Sequence, residues 1–132
     1  MPIVLVSAAA LVDEQGCVLI AQRPKGKSMA GLWEFPGGKV EKGEMPEFSL
    51  MRELKEELDV ETRMCCFSPI GFASHSYETF HLLMPLFICR IWEGVPKALE
   101  HQALRWVYPQ DLGDYEMPAA DIPLISQLRD HL

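Results

Sequence analysis

The sequence is short of basic residues. Its 132 residues include 12 lysines and arginines against 19 aspartates and glutamates, which gives a formal net charge of −7. A surface of this sign has no electrostatic reason to bind DNA or anionic lipid, so we expect neither direct DNA binding nor membrane binding. If such a protein handles phosphates, cations have to mediate the contact.

Paired metal-binding cysteines are also missing. The four cysteines, Cys17, Cys65, Cys66 and Cys89, form no C-x-x-C pair, which argues against a zinc site and favours reduced thiols in a reducing compartment. The apolar N-terminal stretch MPIVLVSAAALV follows no Lys or Arg and is too short to span a bilayer. We interpret it as a buried strand rather than a signal peptide, and we expect a cytoplasmic protein.

Repeats, low-complexity tracts and long linkers are absent, and the length suits one domain over residues 1–132. Apolar periodicity and turn signals predict strands at 4–12 and 17–23 joined as a hairpin, a short strand at 32–35, a helix beginning at Pro46, strands at 67–72, 82–92 and 103–108, and a helix from Pro123. Pro85 predicts a sheet edge or a bulge. This order predicts an α/β or α+β domain whose mixed β-sheet is sandwiched between helices.

Seven acidic residues are crowded into GGKVEKGEMPEFSLMRELKEELDV, residues 37–60. Glu53, Glu56 and Glu57 are spaced by three and four residues, which predicts one helix face, roughly opposite the apolar stripe of Leu54 and Leu58. Their repulsion costs a few tenths of a kcal/mol per close pair. A divalent ion such as Mg²⁺, which takes hard oxygen ligands, would reverse that cost.

A solvated helix face is the simpler interpretation of the same glutamates, because Arg52 and Lys55 lie among them and screen their charge. Spacing alone leaves both interpretations open.

The wider pattern resembles the Nudix box, which reads Gly, five residues, Glu, seven residues, then Arg-Glu-apolar-any-Glu-Glu-any-Gly-apolar. The matching positions here are Gly38, Glu44, Arg52-Glu53-Leu54, Glu56-Glu57 and Val60. The one departure is Asp59, where the family usually has the Gly that ends the helix in a left-handed conformation. Asp tolerates that conformation at a cost of about 1 kcal/mol, so we expect a modest loss of stability and intact catalysis.

The resemblance implies the Nudix fold and a loop–helix–loop that holds Mg²⁺ or Mn²⁺ against a diphosphate. The implied metal ligands are Glu53, Glu56, Glu57 and the Gly38 carbonyl, with Glu100 as a further metal or base residue. Arg52 would hold the glutamates in position and Glu44 would brace the loop.

The general base that the resemblance implies is Glu53 or Glu100. A surface carboxylate is the alternative for Glu100. We interpret His101, His75 and His81 as surface histidines rather than ligands.

The stretch RPKGKSMAGLWEFPGGKVEKGE resembles both MutT-type 8-oxo-dGTP diphosphatases and bacterial CTP pyrophosphohydrolases. It implies that Arg23 faces the nucleotide phosphates and that Phe35 lines the base pocket, with Glu34 and Lys39 as further substrate-binding residues. The alternatives are a surface charge for Arg23 and plain core for Phe35.

Within YEMPAADIPLI, Asp121 stands where MutT has an Asn that contacts the oxidised guanine, and the CTP-type relatives have Asp. An ionised Asp only accepts hydrogen bonds, whereas Asn also donates. An N-cap for the last helix is the alternative role for Asp121.

Taken together, these residues predict a Mg²⁺-dependent hydrolase of nucleoside triphosphates, a small-molecule substrate, acting as a monomer or weak dimer. Conversion of 8-oxo-dGTP to 8-oxo-dGMP and pyrophosphate is the favoured reaction, which would sanitise the nucleotide pool and prevent replication errors. A CTP or 5-methyl-dCTP pyrophosphohydrolase is the near alternative. A non-catalytic nucleotide-binding module is the alternative of another class, and the retention of every box glutamate argues against it.

Overall fold

A computed structural model describes residues 1–132. The strands are β1 (Ile3–Leu11), β2 (Val18–Gln22), β3 (Trp33–Glu34), β4 (Gly37–Lys39), β5 (Ser68–Ser76), β6 (His81–Cys89) and β7 (Ala103–Val107), and the α-helices are α1 (Pro46–Leu58) and α2 (Ile122–His131). Short 3₁₀ helices cover Met64–Cys66 and Pro109–Asp114. The predicted order is confirmed, with β4 as an additional strand. Neither α-helix has the length and apolar character needed to cross a membrane.

The strands form one mixed sheet in the order β4-β1-β6-β5 and one antiparallel sheet in the order β3-β2-β7. In the mixed sheet only β1 and β6 are parallel. Side chains alternate along β1, so Ala8 and Ala10 join the core with α2 while Ala9 and Leu11 join the core with α1. The predicted fold class, a mixed sheet between helices, is therefore confirmed.

The predicted hairpin is wrong. The turn exists, because the Asp13 side chain accepts hydrogen bonds from the backbone N–H groups of Gln15 and Cys17. However, β4 and β6 occupy the two edges of β1. The returning strand β2 therefore touches the first only at the bridge between Val12 and Val18, and it continues into the other sheet.

Pro85 does not mark a sheet edge, since β6 lies between β1 and β5. The bulge alternative is closer, because the β5–β6 ladder shifts register between Pro69 and Gly71, opposite the two residues that follow Pro85. The parallel ladder pairs Leu5 with Leu83 and resumes at Ala8 with Leu86. The proline, which has no N–H to donate, lies in this gap in the ladder.

Helix α1 ends as the sequence predicts. Asp59 has φ 58° and ψ 40°, the left-handed conformation, and its N–H donates to the Lys55 carbonyl. The side chain of Asp59 forms ion pairs with Lys55 at 2.9 Å and Lys97 at 3.6 Å. These two lysines offset the negative charge that Asp59 adds at the negative end of the helix dipole.

The loop before β7 is fastened to the same helix end. The backbone N–H groups of Lys97 and Leu99 donate to the carbonyls of Leu58 and Glu57. These bonds satisfy carbonyls that have no partner within the helix. They also bring Glu100 and the residue after it to the side of α1.

Candidate active site

A polar cleft of about 470 Å³ lies beside α1, β3, β4 and the loop before β7. Its lining is mostly polar or charged and consists of Arg23, Pro24, Lys27, Glu34, Gly37, Glu53, Glu57, Glu100 and His101. Four of these residues carry carboxylates and two carry fixed positive charges. A polyphosphate entering such a cleft needs additional cations to offset the carboxylates.

Glu57 is the most confined of the carboxylates. Its side chain is buried, and its Oε2 atom has no hydrogen-bond partner. Burial, followed by the hydrogen bond and charge of Glu53, raises the pKa of Glu57 to about 10. The expectation that all three box glutamates lie opposite the apolar stripe is therefore wrong for Glu57. It borders the core next to Leu50, which is also fully buried.

Arg52 organises the acidic helix from its exposed side. Its Nη1 atom lies 2.7 Å from Glu53 Oε1, while Nε and Nη2 donate to the two carboxylate oxygens of Glu44 at 3.0 and 2.9 Å. The guanidinium lowers the pKa of Glu44, and Glu44 in turn accepts the N–H of Glu41 in the preceding loop. This geometry suits the holding and bracing roles that the sequence predicts for Arg52 and Glu44.

The absence of a side chain at Gly38 makes room for Glu53. A Cβ atom added at Gly38 would lie 2.5 Å from Glu53 Cδ and 2.6 Å from Glu53 Oε2. The backbone of Gly38 therefore lies directly against this carboxylate.

The carboxylates fit a divalent cation, although no group of three or more His, Cys, Asp or Glu side chains is gathered closely enough to hold one in this structure. Glu57 Oε2 is a buried oxygen without a partner, and the surrounding donors at Glu53 and Glu100 are also carboxylate oxygens. Such a donor set suits Mg²⁺ or Mn²⁺ rather than a soft metal. Glu56 differs from the others, since its side chain is 53% exposed and it is not part of the cleft lining.

The opposite wall carries the residues predicted to bind phosphate. Arg23 Nη1 donates to Glu34 Oε1 at 3.0 Å, and Arg23 Nε donates to the Ser28 carbonyl at 2.7 Å. Lys39, predicted as a substrate-binding residue, is exposed and not part of the lining, whereas Lys27 lines the cleft.

The interpretation of His101 as a surface histidine is wrong. Only 5% of its side chain is exposed, and Nε2 lies 2.9 Å from Glu34 Oε2 and 3.6 Å from Glu57 Oε1. Its position directly after Glu100 was the available signal, because Glu100 also faces the cleft. His75 and His81 are half-buried and lie outside the cleft lining.

Asp121 does not cap the last helix. Although it occupies the N-cap position of α2, its side chain makes no capping hydrogen bond. Its Oδ2 atom instead accepts the backbone N–H of Phe35 at 3.3 Å. Burial, with the charge of Glu34 adding to it, raises the pKa of Asp121 to about 7 against the opposing effects of the Phe35 N–H and Arg23. Phe35 itself is buried in the larger core cluster.

Comparison with known proteins places this geometry in a family. A model described as the NUDIX domain matches residues 7–127. The chain belongs to the Nudix family. Its curated relatives include the CTP pyrophosphohydrolase of Escherichia coli K12, which is 40% identical over 120 residues, 89% of this chain and 86% of that protein. The 8-oxo-dGTP diphosphatase of Proteus vulgaris is 36% identical over 89 residues, 67% of this chain and 78% of that one.

Solved structures agree with this membership. The solution structure of the E. coli ORF135 protein superposes with a TM-score of 0.87 at 34% identity, covering 98% of this chain and 91% of that one. This Nudix hydrolase is therefore an enzyme that acts on phosphoric anhydride bonds, in a family that generally uses a divalent metal. The cleft beside α1 contains two of its three clustered box glutamates, Glu53 and Glu57.

Proposed function

We propose that this chain is a MutT-type nucleoside triphosphate pyrophosphohydrolase that converts 8-oxo-dGTP to 8-oxo-dGMP and pyrophosphate. The observation that carries the proposal is the cleft in which Glu53, Glu57 and Glu100 face Arg23. Carboxylates on one wall suit divalent cations and an arginine on the other suits phosphate oxygens, so the cleft matches a metal-bound polyphosphate. In the cell, the reaction would remove an oxidised nucleotide before it is incorporated into DNA.

Mg²⁺ is the proposed cation, with Mn²⁺ as a substitute. Glu53, Glu56, Glu57, Glu100 and the Gly38 carbonyl would hold it. Bound there, the metal would neutralise phosphate charge and lower the pKa of an attacking water. To take part, Glu56 has to turn inward from its exposed position and leave its 3.9 Å ion pair with Arg52.

The general base that accepts the proton of the attacking water would be Glu53 or Glu100. Glu53 is already engaged by Arg52, whose Nη1 lies 2.7 Å from its Oε1 atom. Glu100 lines the cleft and has no ion-pair partner, so we assign the general base to Glu100. Arg52 acts on Glu53 by position rather than by proton transfer.

Phosphate binding is assigned to Arg23, which Glu34 orients through the 3.0 Å ion pair. A planar guanidinium with a fixed carboxylate partner presents its remaining N–H groups in a defined direction. The case for Lys39 is weaker, because its side chain does not reach the cleft lining, and Lys27 is the better placed lysine.

Base recognition is assigned to Asp121 beside Phe35. An ionised Asp121 would accept hydrogen bonds from both the N1–H and the exocyclic amino group of an oxidised guanine. The Phe35 N–H already fixes one carboxylate oxygen. The remaining hydrogen-bonding capacity of the carboxylate is left for the base.

A cytosine nucleotide, CTP or 5-methyl-dCTP, is the second candidate, and a specific observation favours it. Because the pKa of Asp121 is raised to about 7, a substantial fraction of this carboxyl is protonated at neutral pH. A protonated carboxyl donates one hydrogen bond and accepts another, which matches N3 and the amino group of cytosine. The 40% identity to a CTP pyrophosphohydrolase points the same way.

Steady-state kcat/KM for 8-oxo-dGTP, dGTP, 5-methyl-dCTP and CTP in Mg²⁺ separates the two candidates. The first candidate predicts that 8-oxo-dGTP is preferred, and a preference of about tenfold for cytosine nucleotides, or about 1.4 kcal/mol, would replace it by the second. Pyrophosphate has to be the released product, and Glu56→Gln and Glu57→Gln should each abolish most of its release. A wild-type protein that binds nucleotide without releasing pyrophosphate would be a binding module.

A further inference from the structure

The backbone around His101 is fixed on both sides. On one side, the N–H of Leu99 donates to the carbonyl of Glu57 in α1 at 3.1 Å, and on the other the N–H of Gln102 donates to the carbonyl of Gln22 in β2 at 3.0 Å. His101 therefore spans the space between the metal-binding helix and the strand that precedes Arg23. Its side chain points into this junction, where only 5% of it is exposed.

The imidazole lies between the carboxyl groups of Glu34 and Glu57. Nε2 is 2.9 Å from Glu34 Oε2 and 3.6 Å from Glu57 Oε1. The carboxylate of Glu34 accepts a hydrogen bond from Arg23 through Oε1. Since a carboxylate oxygen only accepts, Nε2 of His101 carries the hydrogen and donates it to Oε2. The remaining nitrogen, Nδ1, is buried without a partner. The polar contacts of this ring are therefore directed entirely at Glu34 and Glu57.

We propose that His101 is a positioning residue, which sets the separation of Glu57 from Glu34 and so aligns the metal-binding wall of the cleft with the phosphate-binding wall. The inference rests on the proposed function, because it takes Glu57 as a metal ligand and Arg23 as the phosphate contact. The order of contacts is Arg23, Glu34, His101, Glu57. Loss of the imidazole should therefore weaken metal binding and phosphate binding together.

The first test is Mn²⁺ affinity of the nucleotide-free protein, measured by the electron paramagnetic resonance signal of free Mn²⁺. His101→Leu removes the donor at similar volume, and we expect its Kd for Mn²⁺ to rise by about tenfold, the lower end of the effect of losing a partner of a metal ligand. His101→Gln keeps an N–H donor near the position of Nε2, and we expect it to restore most of the affinity. Gln102→Leu is the matched control, because it removes a neighbouring side-chain hydrogen bond, to Gln22, outside the cleft.

A kinetic measurement separates positioning from general damage. At saturating Mn²⁺, His101→Leu should raise KM for the nucleotide more than it lowers kcat. The reason is that Glu34, which orients Arg23, loses its own hydrogen-bond partner. A merely structural role would lower the melting temperature and leave both the Mn²⁺ Kd and KM of the folded protein unchanged. That result would overturn the inference.

The outcomes also distinguish this inference from the proposed function. If wild type binds Mn²⁺ and hydrolyses nucleotide while His101→Leu matches it in both, only the positioning role is wrong. If wild type binds no Mn²⁺ with or without nucleotide, the proposed function fails first. Should His101→Leu not fold, His101→Asn, whose amide is too short to reach Glu34, has to show the same weakened Mn²⁺ binding.

Discussion

The buried carboxyl of Glu57 makes the stability of the metal-free protein depend on pH. Its pKa in the folded protein is raised to about 10, chiefly by burial, while an unfolded glutamate titrates near its ordinary value. For a folded pKa above the unfolded one, the stabilising contribution is complete below the unfolded value and is lost as pH rises towards the folded value. Metal-free protein should therefore lose stability between about pH 5 and pH 9.

The size of this loss follows from proton linkage. One proton retained only by the folded state changes the free energy of unfolding by about 1.4 kcal/mol per pH unit, or about 2.7 kcal/mol between pH 6 and pH 8. For a domain of this length that corresponds to a fall of about 10 °C in melting temperature. A bound divalent cation takes the place of the proton, so Mg²⁺ should remove most of the fall.

Thermal melts in EDTA and in Mg²⁺, at about pH 6 and pH 8, test this reasoning. Glu57→Gln keeps the shape of the side chain without the ionisable proton, so between the two pH values the variant in EDTA should lose about 2.7 kcal/mol less stability than wild type. The smaller loss of about 1.4 kcal/mol that Asp121 causes should remain in the variant. Glu56→Gln is the matched control, since that side chain is 53% exposed, and it should retain the wild-type slope. Equal pH slopes for wild type and Glu57→Gln in EDTA would refute the reasoning.

Three further changes test other parts of the account. Asp121→Asn should stabilise the protein above pH 7. With the pKa of Asp121 raised to about 7, the free energy of unfolding of wild type falls by about 4 kcal/mol as pH rises from 4 to 8. Melting temperatures of wild type and variant that change in parallel across this range would contradict the prediction. Gly38→Ala should weaken Mn²⁺ binding severely with little change in melting temperature, because the new Cβ displaces only the flexible end of Glu53; unchanged Mn²⁺ affinity would be the contrary result. Asp59→Gly relieves the left-handed strain but loses the ion pair with Lys55, so we expect the free energy of unfolding to change by less than about 1 kcal/mol and kcat/KM to stay the same, and denaturant unfolding with steady-state assays checks both.

Local signals in the sequence were sufficient for most of the fold. Pro46 lies in the first turn of α1, and the box position of Asp59 indicated the left-handed residue that ends it. Both depend on residues a few positions apart. The prediction of a hairpin failed because β4 and β6 pair with the two edges of β1, and this pairing is a property of the whole sheet.

The candidate site was harder to predict from the sequence, because it also depends on contacts between distant residues. His101 meets Glu34 across 67 positions, and Asp121 meets the Phe35 N–H across 86. No local pattern distinguishes a buried histidine between two carboxylates from an exposed one. The burial of Glu57 could have been predicted from the sequence, because its position next to Leu50 on α1 follows from helical spacing.

The central claim is that the acidic end of α1 binds divalent cations that in turn bind a polyphosphate. Its most direct test is a crystal structure with Mn²⁺ and a non-hydrolysable 8-oxo-dGTP analogue, with anomalous diffraction recorded at the manganese edge. We predict anomalous peaks about 2.1 Å from carboxylate oxygens of Glu53 and Glu57, with the analogue's phosphates bound to the same ions. Phosphates bound in the cleft with no manganese beside these glutamates would contradict the claim.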